Sequence, residues 1–247
     1  TRRLFKGELL DVPAAAVVAN FSTPSPSRPS LLKFSEIETL FHELGHVAYG
    51  IFSKPSFHRL SNGNSPLDFV EVPSMLFQAW AYEPEVLRRI SAHYIYPERK
   101  VPDRLVNSLL GSKNNFSGWT ALRLLALSRV DMRYHSRERI ADTTSVYRDI
   151  VGKISRVPVM KGTHPQAGLI HLMPGYAAGL YSYLWADVIA ADIFTEFKKG
   201  GLFCAGVGKR YKREILYYGA GLDSQEAVRR FLGRSFGTKA YLKRMLA

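Results

Sequence analysis

Residues 35–50, with the sequence SEIETLFHELGHVAYG, limit most strongly what this chain can fold into. Apolar residues recur at spacings of three and four, which predicts an amphipathic helix with one face in a core. They are Ile37, Leu40, Phe41, Leu44 and Val47. Ser35 and Glu38 have the S-x-x-E spacing of a capping box, in which each side chain satisfies backbone N–H groups of the first turn. The pattern therefore predicts a helix that begins near Ser35.

The same stretch contains His42, Glu43 and His46 in an H-E-x-x-H pattern. Positions i and i+4 share one face of a helix, so the two imidazoles can reach one metal ion. Glu43 is the residue after His42 and lies beside it on the helix surface, where it can contact a water bound to the ion rather than the ion itself. Gly45 costs about 1 kcal/mol inside a helix, which predicts a close approach of backbone or substrate there. The pattern favours zinc over a chance pairing of histidines on an ordinary helix.

A catalytic zinc ion needs a third protein ligand and one open position. Cys204 is the only cysteine, and we expect it to be a small buried hydrophobe, so the third ligand should be His, Asp or Glu. Glu71, at the start of the next predicted helix, is the candidate, and Asp68 is its competitor. Glu71 could also be an exposed first-turn acid that interacts with the helix dipole. Glu38, four residues before His42, could orient a ligand.

The rest of the chain predicts a mainly α-helical fold with a short β element near the N-terminus. Residues 12–22, VPAAAVVANFS, are apolar and partly β-branched, which predicts a buried strand. Residues 157–176 form a long loop rich in Gly and Pro, and such loops are often functional. Further helices are expected over 71–95 with a break near Pro84, over 101–112, over 119–135, over 180–199, and from Asp223 onward, where Glu226 completes a second capping box.

The net charge of +13 arises from 34 Lys and Arg residues against 21 Asp and Glu residues. The basic residues are dispersed among apolar ones, which favours solvated helix faces. An RNA, acidic-protein or membrane-surface partner is the alternative. The basic segments are residues 98–100, 198–199, 208–214 and 228–234.

A single cysteine fits a reducing compartment, which favours an intracellular location in the cytosol or the mitochondrial matrix. Residues 173–194 form the most apolar long window, but Asp187 and Asp192 interrupt it. These charges argue against a membrane span. The chain opens at TRRLFKGELL without a start methionine, so we expect a fragment or a processed product.

Three stretches occur in one order over nearly the whole chain: VVANFSTPSPSRPSLLKFSEIETLFHELGH, DFVEVPS and HLMPGYAAGLYSYLWADVIAADIF. Together they resemble the zinc oligopeptidases of the thimet oligopeptidase type, a group that includes neurolysin, oligopeptidase A, dipeptidyl carboxypeptidase and mitochondrial intermediate peptidase. The resemblance implies that residues 1–247 are the catalytic half of an α-helical H-E-x-x-H zinc metallopeptidase. It also implies an active site deep in a narrow channel, and a short or unfolded peptide as the substrate.

By this resemblance His42, His46 and Glu71 correspond to the ligands of one zinc ion per chain. Glu43 corresponds to the general base, which takes a proton from the attacking water and passes it to the leaving amine.

His171, Tyr176 and Tyr183 correspond to the histidine and tyrosines on the substrate side of the same site. The resemblance implies that the two tyrosines donate hydrogen bonds to the tetrahedral intermediate and to the substrate backbone.

The chain departs from the family pattern in three ways. Pro174 stands where a Gly-Gly-Tyr loop is usual, which puts the flexibility of the loop in doubt, and Leu180 replaces a usual tyrosine. Family members are also far longer, and their N-terminal helical region builds the opposite wall of the channel. We expect that wall to be missing here, so that an N-terminal region or a partner chain must close the cleft. The alternative function is a catalytically weak, peptidase-like basic subunit or assembly factor of a large complex such as a ribonucleoprotein.

Overall fold

Helices make up most of the computed structural model, which describes residues 5–6, 9–10, 13–136, 139–173 and 175–246. Two short antiparallel strands, β1 (Phe5–Lys6) and β2 (Leu9–Leu10), precede the helices, with Phe5 opposite Leu10. The expectation of a mainly α fold is confirmed, but the β element near the N-terminus lies within residues 5–10 and not in the run 12–22 from which it was predicted. The helices are α1 (Phe34–Phe52), α2 (Leu67–Val70), α3 (Val72–Trp80), α4 (Pro84–Ile90), α5 (Asp103–Ser112), α6 (Ser117–Tyr134), α7 (Thr143–Ser155), α8 (Tyr181–Gly200), α9 (Ala205–Tyr211), α10 (Ser224–Leu232) and α11 (Lys239–Leu246).

The central part of the fold is a layer of helices around α8. Helix α1 packs along α3, α3 packs along α8, and α2, α6, α10 and α11 also contact α8. The main core lies between these helices and contains Tyr49, Val72, Leu76, Ile193 and Phe231, which are all buried. A second apolar cluster joins α6, α7 and the start of α8 through Leu127, Val130, Tyr147 and Leu180. Helix α8 therefore links the two clusters.

The prediction of a buried strand over residues 12–22 is wrong for its described part, 13–22. No helix or strand of two or more residues covers this part, and most of its side chains are exposed, including Val18 at 90%. A β-strand forms only where a second strand pairs with its backbone, and an apolar run alone does not supply that partner.

Helix α1 begins one residue earlier than expected, and the predicted capping box of Ser35 and Glu38 does not form. Glu36 caps the start of the helix instead. Its carboxylate accepts hydrogen bonds from the backbone N–H of Lys33, the residue before the helix, at 2.6 Å and from that of Ser22 at 2.7 Å. Ser22 lies 14 residues earlier in the chain, so the helix start depends on a loop that folds back onto it.

At the other predicted cap, Asp223 accepts a hydrogen bond from the backbone N–H of Glu226 at 3.0 Å and α10 follows, as expected. The side chain of Glu226 pairs with Arg229 and Arg230 rather than completing a capping box. Helix α10 is not the final helix, since α11 follows it.

Cys204 was expected to be buried, but it is exposed at the residue that precedes α9. Pro174, one of the three departures from the family pattern, lies outside the described residues. Among the helices that the structure describes, none is both long and apolar enough to cross a membrane.

Basic side chains in three of the dispersed basic segments pair with acids on the helices. Arg210 and Lys199 both contact Glu196, at 2.8 Å and 2.9 Å. Arg234 forms a two-pronged ion pair with the buried Asp192, at 2.7 Å and 2.8 Å. This pairing fits solvated helix faces.

Candidate metal centre

His42 and His46 lie one turn apart on the same face of α1. Their ring centroids are 5.0 Å apart and their ring planes meet at 82°. The Nε2 atom of each ring lies 3.3 Å from one and the same oxygen, Oε2 of Glu71. The three side chains therefore converge on one point, and their ligand atoms all lie within 4.8 Å of one another.

Glu71 occupies the junction between α2 and α3 and is 4% exposed. Its Oε2 also accepts a hydrogen bond from the Ser74 hydroxyl at 2.7 Å. Burial raises the pKa of the Glu71 carboxyl, but the hydrogen bonds from His42, His46 and Ser74 outweigh burial and hold that pKa well below its usual range. Glu71 is therefore an ionised acid in a buried position, which suits a ligand of a cation.

The donors of this cluster suit zinc. Two imidazoles and one carboxylate form a ligand set that catalytic zinc sites use, with a fourth position left for water or substrate. Asp68, the competing third ligand, does not join the cluster; its Oδ2 instead accepts a hydrogen bond from the Tyr181 hydroxyl at 3.4 Å. Within the described part of the chain, His42, His46 and Glu71 form the one group placed to hold an ion.

Gln78 of α3 connects His42 to Glu38, the residue that was expected to orient a ligand. The Oε1 atom of Gln78 lies 3.4 Å from His42 Nδ1, and its Nε2 donates to Glu38 Oε1 at 3.2 Å. The Tyr82 hydroxyl donates to the same Glu38 oxygen. Sequence reasoning missed Gln78, although its position seven residues after Glu71 places it on the same helix face.

Glu43 follows His42 on α1 and is partly exposed. Among the described residues its carboxyl has no hydrogen-bond or salt-bridge partner. Burial lowers the pKa of His42, but interactions with Glu71 outweigh burial and raise it, with smaller contributions from Gln78 and Glu43. Glu43 therefore acts electrostatically on His42, a candidate metal ligand, while its own carboxyl has no hydrogen-bond or salt-bridge partner among the described residues.

His171, Tyr176 and Tyr183 form one aromatic cluster. The rings of Tyr176 and Tyr183 are stacked, with centroids 6.2 Å apart and planes at 9°. The His171 ring stands nearly perpendicular to both, at 5.4 Å from Tyr176 and 5.8 Å from Tyr183. The structure thus brings together all three residues that the loop and the start of α8 were expected to contribute.

The negative charge of Glu71, a member of the candidate metal cluster, acts on the hydroxyl of Tyr183. Burial, the Tyr176 side chain and the negative charge of Glu71 all raise the pKa of Tyr183 well above its usual value. The phenol therefore keeps its proton at neutral pH, so it can donate a hydrogen bond to an oxygen that becomes negative.

A cleft of about 300 Å³ opens beside the site, between α3, α6, α8 and α11. Its lining includes Gln78 and Glu38, which support His42, and Tyr183. Lys113 also lines it, and burial lowers the pKa of this lysine to about 8. Of the aromatic cluster, Tyr183 lines this cleft.

Comparisons with known proteins agree with this geometry. The chain is 35% identical to a thimet-like oligopeptidase of Dictyostelium discoideum over 234 residues, which cover 94% of this chain and 35% of that protein. It is 35% identical to oligopeptidase A of Escherichia coli over 230 residues, or 91% of this chain and 34% of the relative. It is 34% identical to mitochondrial intermediate peptidase of Sclerotinia sclerotiorum over 227 residues, which cover 88% of this chain and 29% of that protein.

The chain thus spans about a third of the length of these curated relatives. A sequence model described as Peptidase family M3 matches residues 2–246, nearly the whole chain. A match of this extent, together with several relatives above 30% identity, establishes the relationship: the chain belongs to Peptidase family M3.

Proposed function

We propose that residues 1–247 form the catalytic region of a zinc metallopeptidase that hydrolyses short or unfolded peptides. The observation that carries the proposal is the convergence of three ligands, since the Nε2 atoms of His42 and His46 both lie 3.3 Å from Glu71 Oε2. Membership of Peptidase family M3 and relatives named oligopeptidases support peptides as the substrate class.

His42, His46 and Glu71 would hold one zinc ion per chain. A zinc ion bound there supplies a Lewis acid that polarises a carbonyl and lowers the pKa of water. The Ser74 hydroxyl keeps Glu71 ionised and oriented, while Gln78 fixes the ring of His42. The protein therefore supplies both the ligands and the groups that orient them.

Glu43 is the proposed general base. It lies next to a ligand on α1 and its carboxyl is not engaged by other described residues. It can therefore take the proton of the attacking water and pass it to the leaving amine.

Tyr183, with Tyr176 and His171, is the proposed donor to the oxygen that becomes negative when water adds to the peptide carbonyl. A phenol with a raised pKa donates a hydrogen bond without losing its proton. Donors held in place before the reaction stabilise such an oxyanion more than mobile water does.

Further protein is proposed to cover the site. Ile170 and Met173, apolar neighbours of His171, are 77% and 57% exposed. Their exposure supports the expectation that an N-terminal region or a partner chain closes the cleft. An intracellular location stays a prediction, supported by a relative named as mitochondrial. An RNA or acidic-protein partner also stays a prediction.

The experiment measures zinc content and cleavage of a short quenched peptide by the native protein. We expect about one zinc per chain, as one tetrahedral site requires. His46→Ala should lose the zinc, whereas His58→Ala, which removes an exposed histidine outside the ligand cluster, should keep it. Glu43→Gln should keep the zinc and lose at least roughly 100-fold in rate, the usual scale for a general base.

Two outcomes would contradict the proposal. Stoichiometric zinc in His46→Ala would show that the ligands are wrong. A native protein that binds no zinc and cleaves no peptide would favour the alternative, a peptidase-like subunit of a larger complex.

A further inference from the structure

Asp131, near the end of α6, is completely buried, with 0% of its surface exposed. One carboxylate oxygen, Oδ1, accepts a hydrogen bond from the backbone N–H of Ala178 at 3.0 Å. The other, Oδ2, accepts one from the backbone N–H of Leu180 at 2.9 Å. His135, one turn further along α6, places its Nδ1 atom 2.9 Å from Oδ1. The buried carboxylate thus accepts hydrogen bonds from two backbone N–H groups of a segment 47–49 residues away.

The segment that Asp131 holds is residues 175–180, which contains Tyr176 and ends three residues before Tyr183. Ala178 has a φ of 57°, in the left-handed region. A residue with a Cβ is strained there, so the conformation needs support from outside the segment. The hydrogen bond to Asp131 supplies that support at the strained residue itself.

We infer that Asp131, with His135 beside it, is a positioning residue that holds segment 175–180 so that Tyr176 and Tyr183 stay stacked next to the metal ligands. The inference rests on the proposed function for its catalytic consequence, but the anchoring itself does not. Leu180 takes part in the same arrangement, because its side chain is buried against Leu127 and Val130 of α6 while its N–H is bonded to Asp131.

The chemistry of the two contacts requires a carboxylate. Each oxygen of an aspartate accepts a hydrogen bond, so Asp131 can satisfy two separate N–H groups at once. An asparagine offers one accepting oxygen and turns its NH₂ group toward the other N–H. Asp131→Asn is therefore nearly identical in shape but removes the acceptor of one N–H group. This is either the Leu180 N–H, which is then buried without a partner, or the Ala178 N–H, which keeps only His135 Nδ1 at 3.3 Å.

The matched control is Asp192→Asn. Asp192 is also a buried aspartate, at 3% exposed, and it also accepts a hydrogen bond from a backbone N–H, that of Gly237 at 2.9 Å. Its partners lie at the C-terminal end of the chain rather than in segment 175–180. A general loss of stability should affect both variants, whereas a loss of positioning should affect only Asp131→Asn.

The first measurement is amide hydrogen exchange in the native protein loaded with zinc. In Asp131→Asn the amides of Ala178 and Leu180 should exchange at least about 10-fold faster, with bound zinc unchanged. Asp192→Asn should leave exchange in residues 175–183 as in the parent. Unchanged exchange in Asp131→Asn would overturn the inference.

The second measurement is kcat per bound zinc for peptide cleavage. We expect kcat to fall roughly 10- to 100-fold in Asp131→Asn, the scale of a misplaced group, and to be unchanged in Asp192→Asn. Because Asp131 acts through the tyrosines, adding Asp131→Asn to Tyr183→Phe should lower kcat less than Asp131→Asn does alone. Fully independent effects of the two changes would overturn the catalytic part.

The exchange and activity measurements separate this inference from the proposed function. A parent protein that cleaves no peptide would overturn the proposed function and the catalytic part together. Faster exchange in Asp131→Asn would still show that Asp131 anchors the segment, and unchanged exchange would still show that it does not.

Discussion

Gly45 of α1 lies so close to Pro73 of α3 that a Cβ at Gly45 would come within 2.5 Å of the Pro73 carbonyl oxygen. It would also lie 2.5 Å from the Cα atom of Ser74. Nonbonded heavy atoms do not come this close, so the absence of a side chain at Gly45 is what allows the two helices to approach each other. The expectation that Gly45 marks a close approach is confirmed for the backbone. Gly45 directly precedes His46, and Pro73 follows Glu71 by two residues, so this close contact lies beside two members of the candidate metal cluster.

Gly45→Ala should therefore weaken zinc binding without removing any ligand. The added methyl group must push α1 and α3 apart, which moves Glu71 away from the two histidines. Overpacking of this kind costs about 1–3 kcal/mol in stability, and we expect zinc affinity to fall by about 10-fold or more. Titration with a chelator that competes for zinc gives the affinity.

The control is Gly152→Ala in α7, where a Cβ would meet nothing within 4 Å. It should leave zinc affinity as in the parent and stabilise the helix by up to about 1 kcal/mol. Parent-like zinc affinity in Gly45→Ala would mean that the helices can separate without disturbing the ligands.

Gln78→Ala should lower zinc affinity while the three ligands remain. The change removes the group that fixes the His42 ring through Nδ1, and loss of such a partner typically costs 10–100-fold in metal affinity. Gln166→Ala is the comparison, since that buried amide donates to Thr144 instead. Equal zinc affinities of these two variants would show that the link from Glu38 through Gln78 does not orient the ligand.

Local patterns in the sequence were enough to predict α1 and the two histidines that converge with Glu71. The spacing of apolar residues predicts the helix but not the face that is buried, since α1 buries Gly45, Ala48 and Tyr49 while Leu44 is 38% exposed. The four-residue spacing of His42 and His46 places both rings on one side. Glu71 followed from the need for a third ligand near the next helix. The first two steps depend on residues that are close in sequence, whereas Glu71 lies 25 residues after His46 and followed from ligand chemistry.

The residues that the sequence could not reveal act over long distances in the chain. Gln78 meets His42 across 36 residues and Asp131 meets Leu180 across 49. Glu36 displaced the predicted capping box because Ser22, 14 residues away, folds back onto the helix start. Such partners depend on how helices pack, which no local spacing encodes.

Asp192→Asn should destabilise the protein at neutral pH, and the effect should shrink in acid. Burial raises the pKa of Asp192, but Arg234 and the Gly237 N–H outweigh burial and lower it. A carboxyl with a lowered folded-state pKa stabilises the fold above its unfolded pKa of about 3.9. That contribution is lost as the pH falls through the folded-state pKa.

Urea unfolding at about pH 7 and about pH 3 tests this dependence. We expect Asp192→Asn to lose about 1–3 kcal/mol at neutral pH and to approach the parent at the lower pH. Asp149→Asn, which removes an exposed partner of Lys153, should change stability by less than about 1 kcal/mol. A deficit in Asp192→Asn that is the same at both pH values would contradict the assignment to this ion pair.

Tyr183→Phe should lower the rate of peptide cleavage while zinc binding stays intact. The change removes one hydroxyl from the aromatic cluster and leaves the stacked ring, so the packing against Tyr176 and His171 is kept. Loss of one donor to an oxyanion typically costs about 100- to 1,000-fold in kcat, with KM little changed. Tyr181→Phe is the matched control, because its exposed hydroxyl contacts Asp68 rather than the aromatic cluster. We expect Tyr181→Phe to stay within about 3-fold of the parent, a difference below 1 kcal/mol. If the two variants lose activity equally, the hydroxyl of Tyr183 has no special position relative to the zinc ligands, and the oxyanion donor must be another group.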